Sequence, residues 1–513
     1  MIKVATAHEM MEIDRAAINR YGIAGIELME RAGLACVDKI NQMYSYETAY
    51  VLCGGGNNGG DGFVIARILN GEGRNVKAFL AVPASKLKGD AKTNYIRAKK
   101  AGVQIFPISK FLTSHSSHIT RHNLIIDALF GTGLSKEIKS PLSGVINKVN
   151  SLSSPVLSVD IPSGISSDTG QIMGCAVKAD HTVTFGLPKR GHLLYPGAEY
   201  TGRLSIADIG FPQKLLTSSK IKANLIQKAD ALSLMPQRPK DSHKGTYGHV
   251  LIIAGSRGKT GAALMTAKAC LRTGAGLVTI GIPDSLVDTF QARVTEEMIL
   301  PLPDKGNGTL SSAAVPVILK FLEKRGTVLA IGPGISNDKE ISALVCELII
   351  RSHVPIVIDA DGLNAIAGKT SILKRSGAPV ILTPHSGEMA RLLNRKAEKL
   401  KEDRINTAIS FAKKTKAYLV LKGAPTVIAA PSGDAFINST GNPGMSTAGA
   451  GDVLTGMISA FLAQGLNPQK ASILGVYMHG NAGDIAAEKK GEHSLIASDI
   501  IKAIPSAFRS IFK

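Results

Sequence analysis

The chain has 513 residues, and at roughly 100–200 residues per domain that length predicts about two to four domains. Hydrophobic residues make up 44% and charged residues 19%, which suits large buried cores and excludes a disordered or collagen-like chain. The net charge of +20 is spread along the chain without Arg-rich tracts or aromatic interleaving, so it predicts attraction of anionic small molecules rather than nucleic acid.

Five cysteines lie far apart with no CxxC pair and read as reduced thiols in a cytosolic protein, not as a disulfide frame or a zinc site. The N-terminus has no apolar signal core, and no stretch approaches the ~18 apolar residues needed to span a bilayer. A soluble, cytoplasmic protein without membrane partners is expected. Glycine is abundant at 53 and tryptophan is absent, a profile of an α/β enzyme with many tight strand-to-helix turns.

In chain order, residues 8–40 carry a helical apolar pattern through Met10, Ile13, Ala17, Ile18, Ile26, Leu28 and Met29. Strands are predicted at 49–53, 76–82, 124–129, 156–159 and 182–185, with helices at 62–69 and 90–101 between them. That is the βαβ rhythm of a doubly wound parallel sheet. A polar stretch at 213–224 reads as a linker. A second series follows, with strands at 247–254, 278–282, 327–331, 354–359, 380–383 and 418–421. A hairpin at 426–430 and 435–438 closes it around Pro431-Ser432-Gly433-Asp434. Two α/β domains, 1–215 and 222–513, account for the whole.

The densest signal is the run from Tyr50 to Gly62, a strand entering a glycine-rich turn and then a helix. Bare backbone N–H groups there can approach a phosphate at a helix N-terminus. Gly54, Gly56 and Gly59 satisfy GxGxxG, but the strand at 76–82 ends in Pro83-Ala84-Ser85 and lacks the ribose-binding acid, which argues against ordinary hydride transfer. Asn57, Asn58 and Asp61, packed among the glycines, point to a ligand site. Asp127 and Asp160 each end an apolar strand, where ligands bind on open α/β sheets, and Gly131-Thr132-Gly133 adds a loop of backbone donors.

Asn57-Asn58-Gly59-Gly60-Asp61, Asp127-Ala128-Leu129-Phe130-Gly131-Thr132-Gly133 and Asp160-Ile161-Pro162-Ser163-Gly164 together resemble the signatures of the NAD(P)H-hydrate epimerases, across the whole Rossmann-like first domain. The resemblance implies a potassium ion held by Asn58, Asp127 and Ser163. It implies hydrated nicotinamide nucleotide against Asn57, Asn58, Gly59, Gly60 and Asp61, against Gly131, Thr132, Gly133, Leu134, Ser135, Lys136 and Glu137, and against Asp160. Oxygen ligands suit a hard cation, and Asp160 is the expected acid/base for inversion at the hydroxyl-bearing carbon.

In the second half, Ala448-Gly449-Ala450-Gly451-Asp452 opens a helix with glycines and an acid. Open N–H groups make an anion site for a transferring phosphoryl group, and the aspartate can take the proton of an attacking hydroxyl. This resembles the anion hole and base of ribokinase-like enzymes. Five further motifs follow the order of the ADP-dependent NAD(P)H-hydrate dehydratases: Ser242 to Gly248, Ala330 to Gly334, Asp359 to Asn364, Leu382 to Glu388 and Leu421 to Thr426. That resemblance implies nucleotide (ADP with Mg2+) at Lys422, Gly423, Ala424, Pro425, Thr426 and Gly451. It places the hydrate at Ala262, Gly334, His385 and Asp452. Ser446-Thr447-Ala448 stands where the family often has lysine and paired glycines, a departure that touches phosphate binding.

The chemistry implied is a disguised kinase reaction, in which a phosphorylated ring hydroxyl leaves as phosphate. The family also implies a homo-oligomer. Two rival readings are a vitamin or sugar-alcohol kinase, which leaves the first domain's loops unused, and a non-enzymatic scaffold, against which Asp127 and Asp160 argue. Gly258-Lys259-Thr260 is no P-loop, since position 253 is Ile253. His115, His118 and His122 have helical spacing but no fourth ligand nearby, and read as a solvated face.

Overall fold

The computed structural model describes residues 1–115 and 119–512, so His118 lies outside the described residues. The chain divides into two compact units, Ile2–Lys222 and a second beginning at Ala223. The first opens with strand β1 (Ile2–Val4) and two helices, Ala7–Tyr21 and Gly25–Met43. The single helical pattern expected over 8–40 is therefore split. Thr6 caps the first helix in a reciprocal box with Glu9, and Gly22 ends it at φ 70°, a left-handed conformation that glycine adopts without strain.

Strands β2 (Thr48–Cys53), β3 (Asn75–Leu80), β4 (Gln104–Pro107), β5 (Asn123–Ala128), β6 (Val156–Val159), β7 (His181–Phe185) and β8 (Arg203–Ala207) form one sheet in the order β4-β3-β2-β5-β6-β7-β8. Every neighbouring pair in it is parallel. The sheet is doubly wound and buried on both faces. Ala49, Val51 and Cys53 enter the core beneath the helices Gly25–Met43 and Asn57–Gly71, whereas Tyr50 and Leu52 enter the opposite core with Val145, Ile146 and Val149. The strand order reverses between β2 and β5, the kind of switch point at which open α/β sheets bind ligands beyond the carboxyl ends of their strands.

In the second unit, the strands are β9 (Ala223–Leu225), β10 (His249–Ile253), β11 (Leu277–Pro283), β12 (Met298–Leu302), β13 (Val328–Ile331), β14 (Ile356–Ile358), β15 (Val380–Leu382), β16 (Tyr418–Leu421), β17 (Thr426–Ala429) and β18 (Ala435–Asn438). They run β9-β18-β17-β16-β15-β14-β13-β10-β11-β12. The predicted hairpin is present, with β17 antiparallel to β16 and β18, while β10 to β16 pair in parallel. The residues 213–224, expected as linker, hold a short helix, Gln213–Leu216, and most of β9. Here the switch point lies between β10 and β13. The helix Ala450–Ala463 is buried on nearly every side beneath this sheet, so its direction and its N-terminus are fixed by packing.

Candidate active sites

At the first switch point the backbone of the turn after β2 touches that of the turn after β5. A Cβ on Gly54 would stand 1.8 Å from the Leu129 carbonyl oxygen, and one on Gly59 would stand 2.0 Å from the Gly54 oxygen. Glycine is obligatory at both positions because backbone, not a movable side chain, is in the way. This contact delivers Asn58, in the first turn of the helix Asn57–Gly71, beside Gly131. A Cβ on Gly131 would lie 3.3 Å from the Asn58 side chain and 3.0 Å from Asp160 Oδ2. The amide of Asn58 is buried, and neither its oxygen nor its nitrogen has a partner. Buried amides are ordinarily satisfied, and an orphaned one marks a position built for something else to bind.

Asp127 sits in β5 between Leu52 and Ser158 of the flanking strands. Its Oδ2 accepts from Ser158 Oγ (2.9 Å) and the Ser163 N–H (2.8 Å), and its Oδ1 accepts from Ser163 Oγ (2.6 Å). Burial pushes its pKa up, and these hydrogen bonds oppose that. Ser163 Oγ also accepts the Phe130 N–H at 2.8 Å, so strand and both loops are tied together.

Asp160 follows β6 with φ 66°, a left-handed conformation strained for a residue with a side chain. Its N–H still pairs with the Val183 carbonyl of β7 at 2.8 Å, and its carboxylate lies between the loop after β5 and Lys189. Oδ1 accepts from Lys189 Nζ at 2.6 Å and Oδ2 from the Thr132 N–H at 3.2 Å. Burial alone would raise the Asp160 pKa. The charge and hydrogen bond of Lys189, with His192 and the Thr132 N–H, outweigh burial and hold the carboxyl below the ordinary carboxylate range.

Lys189 and His192 were not legible as site residues. Lys189 is 1% exposed and also reaches Thr184 Oγ1 at 2.7 Å. The ring of His192 accepts the Lys189 N–H on Nδ1 (3.0 Å) and donates from Nε2 to the Asp160 carbonyl (2.9 Å). Burial and Lys189 push its pKa down to about 3, so the ring is neutral. Among the other expected residues, Gly131 and Thr132 join this cluster. Ser135, Lys136 and Glu137 are exposed and make no hydrogen bond to it.

The second switch point is built alike. The Gly255 N–H donates to the Pro333 carbonyl (2.8 Å) and Ser256 Oγ donates to the Gly334 carbonyl (2.8 Å), joining the turns after β10 and β13. A Cβ on Gly334 would lie 3.3 Å from Ala262 Cβ, so these two expected residues are neighbours. Lys259, from the rejected P-loop match, caps the helix Thr260–Thr273 and pairs with Asp361 at 3.0 Å.

The helix Ala450–Ala463 begins at Gly449, φ 89°, with Gly451 and Asp452 in its first turn. A Cβ on Gly451 would stand 3.1 Å from Lys422 Nζ, so that ammonium is poised at the open helix end. Lys422 Nζ donates to Asp359 Oδ1 at 2.7 Å, and Thr455 Oγ1, one helical turn beyond Asp452, donates to Asp359 Oδ2 at 2.8 Å. Asp359 is thus the brace between the lysine and the helix. Burial, then the charge of Asp359, push the Asp452 pKa up to about 7; Lys422 opposes this, and Asp361 and Glu388 add to it.

The loop of Lys422, Gly423, Ala424, Pro425 and Thr426 is held from behind by Arg404, whose Nη2 donates to the carbonyl of Lys422 (3.1 Å). The same group reaches the Leu421 and Pro425 carbonyls at 3.4 Å each, and sequence gave no signal for it. His385 accepts the Gly387 N–H on Nδ1 (3.0 Å) and its own N–H donates to Glu388 Oε2 (2.8 Å). It caps the helix Ser386–Leu393, while its ring stays 55% exposed toward solvent. His479, buried with Nε2 unpartnered, has its pKa pushed down to about 4 by burial.

Among the described residues, no helix is long and apolar enough to cross a membrane, and no cluster of three His, Cys, Asp or Glu could hold a metal ion. The family described as NAD(P)H-hydrate dehydratase matches residues 250–506, and that described as YjeF-related protein N-terminus matches residues 25–191. The bifunctional NAD(P)H-hydrate repair enzyme of Moorella thermoacetica is 44% identical, over 99% of this chain and 97% of its own. That of Thermofilum pendens is 42% identical over 99% and 97%. A crystal structure of ADP/ATP-dependent NAD(P)H-hydrate dehydratase from Bacillus subtilis, co-crystallised with ATP and Mg2+, matches 56% of this chain and 97% of that chain. It does so at 29% identity and a TM-score of 0.48. With two families matched in order and near-complete coverage at this identity, the chain belongs to the bifunctional NAD(P)H-hydrate repair enzymes.

Proposed function

We propose that the first unit interconverts the R and S hydrates of NADH and NADPH, and that the second dehydrates the S form with ADP, giving AMP and phosphate. The observation that carries this is Asp452 at an open helix end beside Lys422, with its proton affinity near neutrality. Asp452 takes the proton of the ring hydroxyl as that oxygen attacks the terminal phosphorus of ADP, and Lys422 and the helix N–H groups hold the oxyanions. Phosphate then departs with its electron pair as the ring nitrogen pushes and the adjacent carbon loses a proton, which restores the dihydronicotinamide. Hydroxide is a poor leaving group and phosphate a good one, so ADP cleavage drives the step.

Asp359, Asp361 and Glu388 all add negative charge at Asp452, against the ammoniums of Lys422 on Asp359 and Lys259 on Asp361, and this acidic setting fits a Mg2+ ion brought by the nucleotide. Nucleotide contacts are assigned to Lys422, Gly423, Ala424, Pro425, Thr426 and Gly451. Hydrate contacts are assigned to Ala262, Gly334, His385 and Asp452.

In the first unit, Asp160 is the proton-transfer group at the hydroxyl-bearing carbon, and the loops around Asn57 and Gly131 hold the nucleotide. The orphaned amide oxygen of Asn58, with the carboxylate of Asp127 and the Ser163 hydroxyl bonded to it, offers an all-oxygen donor set of the kind that would fit a potassium ion. Such an ion would supply a fixed positive charge near the nucleotide's phosphates. Free thiols at all five cysteines fit the cytoplasm, and assembly as a homo-oligomer completes the reading.

The test mixes both hydrate epimers with ADP and Mg2+ and follows reduced-nicotinamide absorbance. Full conversion is expected. Recovery of the S fraction alone, beyond slow spontaneous epimerisation, removes the epimerase half, and no recovery removes the dehydratase half.

A further inference from the structure

Asp61 belongs to the first site, and the epimerase reading uses it only as a contact for the nucleotide. It lies one helical turn beyond Asn58 on the helix Asn57–Gly71, so the two side chains share a helix face. Asn58 stands against Gly131, with Asp160 Oδ2 on the same glycine. Asp61 is 9% exposed, and its carboxyl accepts no hydrogen bond from any described residue. A nine-tenths buried acid without a partner, on the helix face that carries the orphaned Asn58, is a group left free for a ligand.

The groups facing it come from four elements. They are Asp14 on the helix Ala7–Tyr21, Cys36 on the helix Gly25–Met43, Asp160 after β6 and Lys189 after β7. The one ammonium among them is bound to Asp160 at 2.6 Å, and His192 beside it is neutral. Burial, with the charges of Asp160 and Asp14, therefore pushes the Asp61 pKa well above the ordinary range, while Asp160 is held below it. Two carboxyls in one site whose proton affinities are pushed in opposite directions is the arrangement that divides acid and base work.

We propose that Asp61 is the acid partner of Asp160 in epimerisation: Asp61 protonates the hydroxyl leaving the hydrated ring, and Asp160 takes a proton from the water that returns. This rests on the epimerase reading. In the first step the C–O bond breaks, its electron pair stays on oxygen, and the proton from Asp61 completes a water. The lone pair of the adjacent ring nitrogen forms a C=N bond, leaving a cationic ring. Water then adds to the opposite face, the nitrogen recovers its lone pair, and the released proton passes to Asp160. One proton has moved from Asp61 to Asp160, and either exchange with solvent or a turnover in reverse restores it. Water attached to such a cation is a strong acid, so a carboxylate of low basicity suffices, and its charge stabilises the cationic ring.

The experiment uses the full-length chain with R hydrate and no ADP, so that only epimerisation is read. Asp61→Asn keeps the shape and a neutral group, and is expected to lower kcat by about 100-fold or more with KM within about threefold. Wild-type kcat/KM should fall as pH rises through the pKa of Asp61, and that alkaline limb should vanish in Asp61→Asn. Asp61→Glu, which keeps an acid, should recover at least tenfold over the amide. An amide variant within threefold of wild type, an alkaline limb unchanged by it, or a glutamate no better than the amide overturns the proposal. A wild-type chain that converts R hydrate no faster than buffer removes the epimerase reading itself, and this inference with it.

Discussion

Dehydration should be governed by the ionisation of Asp452. A base must lose its proton before it can act, and the Asp452 pKa is pushed up from 3.8 to about 7. For the free enzyme, kcat/KM toward the S hydrate should therefore rise about tenfold per pH unit below 7, to a plateau near pH 8, and stand at about one hundredth of it at pH 5. The same shift has a stability counterpart of opposite slope. A folded-state pKa above the unfolded value means that the folded chain binds the extra proton, so this contribution is full below about pH 4 and lost as pH rises through 7. Roughly three pKa units at about 1.36 kcal/mol each make it on the order of 4 kcal/mol across that window.

Asp452→Asn removes both effects. Dehydration should fall by several orders of magnitude, and thermal unfolding should show the variant more stable than wild type at pH 8 but not at pH 4. The rates come from reduced-nicotinamide absorbance with ADP, Mg2+ and hydrate all held below saturation between pH 5 and 8. A flat wild-type profile, or a variant retaining a tenth of the wild-type rate, would refute the assignment.

Lys189→Met leaves Asp160 buried without its ammonium, which should cost about 3–5 kcal/mol in chemical denaturation, and adding Asp160→Asn should restore much of that. Gly54→Ala drives a Cβ into the Leu129 carbonyl, and loss on the order of 3 kcal/mol of first-unit stability is expected, with epimerisation lost before dehydration. Replacing K+ by choline at constant ionic strength should slow epimerisation and leave S-hydrate dehydration unchanged; equal rates in both salts would take the cation away from Asn58, Asp127 and Ser163.

The turns that carry both sites were legible because each joins a buried apolar strand to a glycine-rich helix start, a local pattern. What supports those turns was not. Lys189 reads in sequence as one more surface cation, and only the approach of β7 to β6 shows that it neutralises Asp160. Arg404 opens a helix 18 residues before the loop it braces, and it holds that loop through backbone carbonyls that no side-chain pattern reveals, with Nη1 on Ser386 Oγ at 3.1 Å. His385 was read for its substrate and is also a helix cap, a role its neighbour Glu388 could have signalled. The missed strands are short or lie at sheet edges: β12 ends the second sheet, contains Pro301 and is half exposed, so it lacks the apolar run that marks β10 or β13.

The first residues of the chain have a consequence for anyone who handles this protein. Ala5 bridges Lys189 in parallel, its N–H donating to the Pro188 carbonyl at 2.9 Å and its carbonyl accepting the Arg190 N–H at 3.1 Å. The leading segment therefore clamps the lysine that neutralises Asp160, although 184 positions separate them in sequence. Trimming the chain past residue 6, or crowding that end with a rigid purification handle, should loosen the clamp on Lys189 and weaken epimerisation.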